Sequence, residues 1–336
     1  MSDSSSLAAA LARQSLMADP TSAEAVNVLA LQAQMRNETE EARALFEYSL
    51  QLSRRELPAR LWAIEEAVTR GDIGTALYNY DLALRTSSRA TELLLPNLIA
   101  ALEEPLVREA IYPILAKQPP WGTKFLVEAA VNSSNPLSVL AFFTEPLAKS
   151  LPIPPETSAY LVNNLASKGE WDAAWEYYTA SNIDVSRTSS RDPDFSADLD
   201  VRTVFDWQTT LERGFVAEIV PALDRQLLEF ELRPGQRGMI VQQRQVLPQG
   251  RYRLSSASED LDSEDFEEIY WALDCDDGAE LARIALLSEA EANANFNGVF
   301  EVPANCPHQN LRLMAVAASA PPGPAGRILR VLIEPF

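Results

Sequence analysis

The residues that could do chemistry are few, and they lie in the second half of the chain. His308 is the single histidine of the 336-residue sequence, and it follows the second of two cysteines, Cys275 and Cys306. One histidine excludes most Ser-His-Asp and Cys-His mechanisms and leaves His308 as the sole histidine base. The three residues offer no fourth ligand for structural zinc. A histidine on the surface or in a loop is therefore the favoured interpretation.

The two cysteines allow one pairing. Cys275 follows an apolar segment and precedes Asp276-Asp277-Gly278, and Cys306 lies between Pro303 and Pro307. A pair of buried free thiols is one interpretation of this pattern. The strand-end or loop positions favour a Cys275–Cys306 disulfide, which would indicate an oxidising compartment.

The densest acidic run extends from Glu259 to Glu268. Its alternating carboxylates resemble a calcium loop, yet Asp265 stands where an EF-hand requires glycine. The favoured interpretation is a solvated loop between strands. Nothing among the 48 acidic residues selects a carboxylate pair for glycoside hydrolysis. The 12 glycines form no phosphate-binding motif, which argues against a nucleotide enzyme.

Aromatic residues offer a second kind of chemistry, the stacking of a ligand on a ring. Tyr270 and Trp271 are adjacent in a predicted strand, so their side chains face opposite sides. We expect one of the two to be buried and the other to be a candidate platform for a sugar or a partner. The four tryptophans of the first half are most simply core residues: Trp62, Trp121, Trp171 and Trp175.

The elements of the first half follow a repeat. A pattern of small, aromatic and small residues recurs after 34 positions, first as Ala42, Phe46 and Ser49 and then as Ala76, Tyr80 and Ala83. The turn residue Asn37 recurs in the same way as Gly71. This spacing resembles the tetratricopeptide repeat, a helix-turn-helix unit.

The resemblance implies an α-solenoid over residues 1–182 that binds a protein partner. Further helices are predicted at 90–102, 105–117, 122–132 and 136–149, with a later copy of the repeat around Gly169. Polar side chains on the concave face would clamp an extended peptide. The candidates for this clamp, expected to be exposed, are Gln32, Arg36, Arg60 and Asn163.

Residues 183–200 are polar and aperiodic, which predicts a linker. Beyond it, strands and turn signals alternate and predict an antiparallel β-sandwich over 201–336. The predicted strands are 203–208, 215–220, 227–232, 237–247, 251–256, 268–274, 281–287, 298–302, 310–317 and 327–334.

The sandwich resembles the jelly rolls of carbohydrate-binding modules and galactose-binding-like domains. The residues that carry this resemblance are Phe205-Asp206-Trp207, Pro248-Gln249-Gly250-Arg251-Tyr252 and the closing segment Arg327 to Ile333. It implies that the last strand pairs near the first and that a glycan or a second protein is bound. It also implies a structural calcium, with Asp260, Asp262 and Asp265 as candidate ligands; no other cofactor is expected.

The formal net charge of −20 argues against binding to nucleic acid or to an anionic membrane surface. No apolar run of about 20 residues predicts a membrane span. The first ten residues do not resemble a signal peptide, so we expect either a cytoplasmic protein or a signal or anchor upstream of this sequence. The scarcity of lysine against arginine suggests a GC-rich bacterial genome.

These observations predict a non-enzymatic interaction or scaffold protein, an α-solenoid followed by a jelly-roll-like β-sandwich. The disulfide and the glycan-binding resemblance together suggest a periplasmic or envelope role in polysaccharide assembly or export. One alternative is a carbohydrate-active enzyme or accessory protein with a carboxylate pair. Another is a structural subunit of a surface assembly. The sequence specifies neither the partner, the glycan nor the oligomeric state.

Overall fold

The computed structural model shows helices in the first part of the chain and two antiparallel sheets in the second, which confirms the predicted fold class. Contacts group the chain into two compact units, Met1–Thr157 and Ser158–Phe336. For residues 2–6, 181, 294 and 295 only the backbone is described. The described residues are 2–181, 185–197, 199–210, 212–222, 225–261, 264–286, 294–321 and 323–336.

Eleven α-helices occur among the described residues. They are α1 Ser2–Ala18, α2 Ala23–Met35, α3 Thr39–Leu52, α4 Leu57–Thr69, α5 Ile73–Thr86, α6 Ser88–Ala100, α7 Pro105–Leu115, α8 Gly122–Asn132, α9 Pro136–Thr144, α10 Pro155–Ser167 and α11 Trp171–Ser181. Side chains cap several of these helices: Asp72 accepts a hydrogen bond from the Thr75 N–H at 3.0 Å at the start of α5.

The turns of the predicted repeat have the expected geometry. Asn37, Gly71 and Gly169 each follow a helix and have positive φ angles of 62°, 69° and 81°. This left-handed conformation ends a helix and reverses the chain, and glycine or asparagine adopts it at least cost. Helix-turn-helix pairs are therefore present, while their membership of the tetratricopeptide class stays a prediction.

Small residues and one aromatic pair hold the first helix pairs together. Ala30, Ala33 and Ala42 are almost fully buried, which lets α2 and α3 approach closely. Phe46 is fully buried, and its ring stacks on Trp62 of α4 with centroids 5.3 Å apart. Phe46 of the α2–α3 pair thus fills the gap to the next helix pair, which begins with α4.

Ten strands occur in the described part of the chain, and they form two five-stranded antiparallel sheets. They are β1 Gln208–Thr209, β2 Phe215–Ala222, β3 Arg225–Leu232, β4 Arg237–Gln245, β5 Gly250–Glu259, β6 Phe266–Cys275, β7 Glu280–Ala285, β8 Ala294–Val302, β9 Gln309–Ala317 and β10 Ala325–Pro335. The front sheet has the order β1-β4-β9-β6-β7, and the back sheet has the order β2-β3-β10-β5-β8. Successive strands cross repeatedly between the sheets, as in jelly rolls.

The two ends of the sandwich differ from expectation. The last strand, β10, lies between β3 and β5, whereas β1 belongs to the other sheet, so the last strand does not pair near the first. Of the predicted strand 203–208, only Gln208 belongs to a strand, β1, because the residues before it form a turn. In that turn the Asp206 carboxylate accepts hydrogen bonds from the Thr203 N–H at 2.8 Å and hydroxyl at 2.7 Å.

The core of the sandwich lies between the sheets. Trp207 and Trp271 are fully buried, with ring centroids 5.8 Å apart. Around them pack the inward side chains of alternating positions on β6, β9 and β10. A disulfide joins Cys275 to Cys306, whose Cα atoms are 5.5 Å apart, at one edge of this core.

Part of the segment predicted as a linker, from Ser190 to Phe195, packs into the sandwich. Phe195 is fully buried against Trp207, and the Trp207 indole donates a hydrogen bond to the Asp192 carbonyl at 2.8 Å. The Val331 N–H of β10 donates to the Pro193 carbonyl at 2.8 Å. Contacts also group α11 with the sandwich. The predicted domain limits, 1–182, 183–200 and 201–336, stay a prediction.

Within the described part of the chain, the helices are too short or too polar to cross a membrane.

Candidate functional site

The outward side chains of the front sheet form the surface that is here called the front face, which is polar around Asn310 and Arg312 and apolar around Met239 and Met314. A row of directly paired residues crosses all five strands: Gln208, Gln242, Arg312, Ala272 and Arg283. Neighbouring strands lie about 4.8 Å apart, so this row is about 19 Å long. Its length and its polar character suit an extended polar ligand.

The two arginines of the row, Arg312 and Arg283, each pair with a carboxylate. Arg312 donates from Nε to Asp274 Oδ2 at 3.1 Å, and its terminal nitrogen contacts the same oxygen. Arg283 donates to Glu268 Oε2 at 2.7 Å. Asp274 is 8% exposed, whereas the side chain of Arg312 keeps 34% of its surface accessible. The Arg283–Glu268 pair therefore places donors and acceptors side by side at the surface, whereas the Arg312–Asp274 pair presents mainly the guanidinium of Arg312.

A chain of amides continues the surface toward β1. Asn310 donates to Gln242 and Gln242 donates to Gln208, both at 3.3 Å. Gln208 in turn donates to the Thr203 carbonyl at 3.2 Å. The Oδ1 atom of Asn310 is buried without a hydrogen-bond partner. These amides hold one another in fixed orientations beside the Arg312–Asp274 pair.

The structure separates the two candidate stacking residues. Trp271 is fully buried, and its indole donates to Ser256 Oγ at 3.1 Å, so it cannot be a stacking platform. Tyr270 belongs to the front face and is half-buried. The Arg283 guanidinium covers its ring at 3.7 Å from the centroid. A ligand that stacks on this face of Tyr270 must displace Arg283.

His308 lies at the strand-end border of the front face, beside the disulfide. Its Nδ1 atom is 3.6 Å from Asp276 Oδ2, and its ring centroid is 5.5 Å from that of Trp171 on α11. Burial lowers the pKa of His308, although the carboxylates of Asp276 and Asp172 act in the opposite direction. Its Nε2 atom is buried without a partner. This is the setting of a packed side chain rather than of an accessible base.

Two of the three calcium candidates, Asp260 and Asp265, lie among the described residues. Asp260 accepts an ion-pair hydrogen bond from Arg327 at 2.8 Å, and Asp262 lies outside the described residues. The Asp265 carbonyl accepts from the Ala318 N–H at 2.8 Å. Among the residues that the structure describes, no group of three or more His, Cys, Asp or Glu side chains could hold a metal ion. The calcium site stays a prediction.

The candidate partner-binding residues are mostly not exposed as expected. Gln32 and Arg60 are only 8% and 6% exposed, because both pack between helices. Arg60 donates to Asn79 Oδ1 at 2.7 Å, and Asn163 donates to the Arg202 carbonyl at 3.0 Å. Arg36 is exposed and pairs with Glu38. The expected exposure is therefore wrong for Gln32 and Arg60, Asn163 is half-buried, and partner binding by the four residues stays a prediction.

Sequence reasoning missed the front-face row. Its signal was present in the alternation of β9, where Asn310 and Arg312 alternate with buried Leu311 and Leu313. That alternation predicts which residues point outward. It does not predict that Arg312 lies between Gln242 and Ala272, because the order of strands in a sheet depends on distant parts of the chain.

Comparisons with known proteins found neither a matching family model nor a matching curated protein. Solved structures do match in part. A family 61 carbohydrate-binding module in complex with β-1,4-galactotriose is 12% identical, with 39% of this chain and 88% of that chain covered and a TM-score of 0.29.

Two other matches have similar values. The family 22 xylan-binding domain of Paenibacillus barcinonensis is 11% identical, with 44% of this chain and 93% of that chain covered and a TM-score of 0.30. A family 4 carbohydrate-binding module is 10% identical, with 44% and 99% covered and a TM-score of 0.32. At such identities and TM-scores, the likeness says nothing about what this chain binds.

Proposed function

We propose that the β-sandwich is a non-catalytic module that binds a glycan on its front face. The observation that carries this proposal is the in-register row across five strands, in which every member except Ala272 is polar, with the Arg312–Asp274 pair at its centre. Sugar hydroxyls both donate and accept hydrogen bonds. A guanidinium next to a carboxylate offers both partners at adjacent points.

The geometry of the row favours an extended glycan over a small polar molecule. The row is about 19 Å long, which matches an extended chain of sugars better than a single small molecule. Its side chains are also mutually bonded before any ligand arrives, as in the amide chain from Asn310 to Gln208. Such preorganisation lowers the entropy cost of binding.

The experiment is affinity electrophoresis of the whole chain through gels that contain xylan, β-1,4-galactan, hydroxyethylcellulose or alginate. We expect at least one of the four polysaccharides to retard the protein relative to a gel without polysaccharide. Migration that none of the four polysaccharides changes would contradict the proposal.

The helical unit would serve as the scaffold that holds a protein partner. A groove of about 430 Å³ between α6 and α8 supports this part of the proposal. Leu95, Pro96 and Ile99 form its apolar lining, and Lys124 and Glu128 lie at its border. We propose this groove in addition to the predicted clamp, of whose four residues Gln32 and Arg60 are buried.

The cell envelope is the compartment that we propose for this protein, with a role in polysaccharide assembly or export. The Cys275–Cys306 disulfide supports it, because such bonds persist in oxidising compartments. Thiol titration of denatured protein purified without reductant should find no free thiol. Two titratable thiols would contradict the assignment.

A further inference from the structure

Helix α11 places an aromatic ring at the border of the front face. Trp171, its first residue, is half-buried, and the Arg244 guanidinium lies over its ring at 5.0 Å from the centroid. Arg244 points outward from β4 and pairs in register with Asn310, which pairs with Asp274. The indole therefore lies beside the surface of the front sheet. It is close to Arg244, whose neighbour Asn310 lies next to Asp274 of the Arg312–Asp274 pair.

The position of Trp171 suits contact with a ligand on the polar row. Gln242 and Arg244 are two residues apart on β4, so the Arg244 position lies about 7 Å along the strand from the row. A ligand on the row would have the sheet as its floor and the N-terminal turn of α11 as a wall.

The front face lacks an uncovered aromatic ring among the residues already discussed. Trp271 is buried in the core, and Arg283 covers one face of Tyr270. An aromatic side chain adds a large contact area for the apolar face of a ligand while polar neighbours fix its orientation. Arg244 lies over the Trp171 ring and His308 packs 5.5 Å from it, so the part of this half-buried indole that stays accessible would supply the contact beside the polar row.

We propose that Trp171 forms the aromatic wall of the glycan site, so that the binding module includes helix α11 as well as the sandwich. This inference rests on the proposed function of the front face. Arg244 fixes the indole in place, because its guanidinium stacks on the ring and also pairs with Asp276. The wall is thus oriented before a ligand arrives.

A second attachment of α11 makes the inference testable. Tyr178, two helical turns further on, donates a hydrogen bond to Asp206 at 2.8 Å. The ring of Trp175 packs edge-on against Phe205 with centroids 5.0 Å apart. These buried contacts hold the helix on the sandwich without Trp171, so removal of the Trp171 ring should leave the helix docked.

The test compares three variants of the whole chain by affinity electrophoresis in the same four polysaccharides. Trp171→Ala should lower the affinity for the polysaccharide that retards the parent protein about tenfold or more, and the variant should be retarded correspondingly less. Trp175→Phe, a change on the buried side of the same helix, should bind like the parent protein. Gln242→Ala reports on the polar row itself, and the melting temperature of each variant reports on folding.

A second measurement does not depend on the stability of the alanine variant. The bound polysaccharide should protect part of the tryptophan fluorescence of the parent protein from acrylamide quenching, and Trp171→Phe should remove this protection.

The outcomes separate the two proposals. Unchanged retardation of Trp171→Ala, or protection that persists in Trp171→Phe, overturns the role of Trp171 while the front face stands. A lower melting temperature with unchanged affinity makes Trp171 a packing residue only and also overturns it. A parent protein that none of the polysaccharides retards overturns the proposed function and this inference with it.

Discussion

His308 is held between helix α11 and the two loops that the disulfide joins. The groups that face it are the carboxylates of Asp276 and Asp172 and the guanidinium groups of Arg244 and Arg187. Burial is the largest influence, and it lowers the pKa of His308 below the ordinary value of 6.5. The imidazole is therefore neutral in the folded chain at a pH at which the unfolded chain already binds the proton.

This difference predicts a loss of stability in acid. As the pH falls below about 6.5, the unfolded state takes up a proton that the folded state does not. The free energy of unfolding should therefore decrease, by at most about 1.4 kcal/mol per pH unit from this group, until the folded pKa is reached.

Denaturant unfolding of the parent protein and of His308→Gln between pH 7.5 and 5 measures the effect. The many carboxylates contribute equally to both proteins, so the difference between the two isolates His308. Parallel stability curves would contradict the assigned role of burial.

At the scale of elements, the contacts join α11 and the segment after it to the sandwich. Tyr178 donates to Asp206, and Arg191 contacts both of them. Burial and the Asp206 carboxylate both raise the pKa of Tyr178, so the phenol keeps the proton that it donates. The polar composition of the segment after α11 predicted a linker. The carbonyls of this segment nevertheless accept hydrogen bonds from residues of the sandwich.

These contacts predict which fragment folds. A fragment of residues 158–336 should unfold in one cooperative transition. A fragment of residues 201–336 should aggregate or melt at a lower temperature, because it exposes Phe205 and leaves Asp206 without Tyr178 and Arg191. Thermal melts followed by circular dichroism measure this. Equal melting temperatures would instead support the predicted boundary at residue 201.

Local patterns predicted most elements, because helices and strands are short-range features of the sequence. The turn residues Asn37, Gly71 and Gly169 and nine of the ten strands lie close to their predicted positions. What depends on distant partners was not predictable in this way. The neighbours of Arg312 are known only once β9 is placed between β4 and β6, and the burial of Gln32 and Arg60 depends on how helices pack.

The whole molecule combines a helical unit with a sandwich unit at a net charge of −20. On the front face, the arginines Arg244, Arg283 and Arg312 each pair with a carboxylate. An arginine whose charge is balanced by a carboxylate can form hydrogen bonds with a ligand that carries no charge. A strongly acidic protein also repels polyanions. We therefore expect a neutral glycan to bind better than alginate.

Isothermal titration with the retained polysaccharide tests the central claim most directly when it compares the two faces of the sandwich. Gln242→Ala and Arg312→Lys alter the front face. Arg327→Lys is the matched control on the back sheet, where Arg327 pairs with Glu229 and Asp260. We predict that each front-face variant weakens binding about tenfold and that the control binds like the parent protein. Full affinity in both front-face variants, or loss of binding in Arg327→Lys alone, would contradict the account.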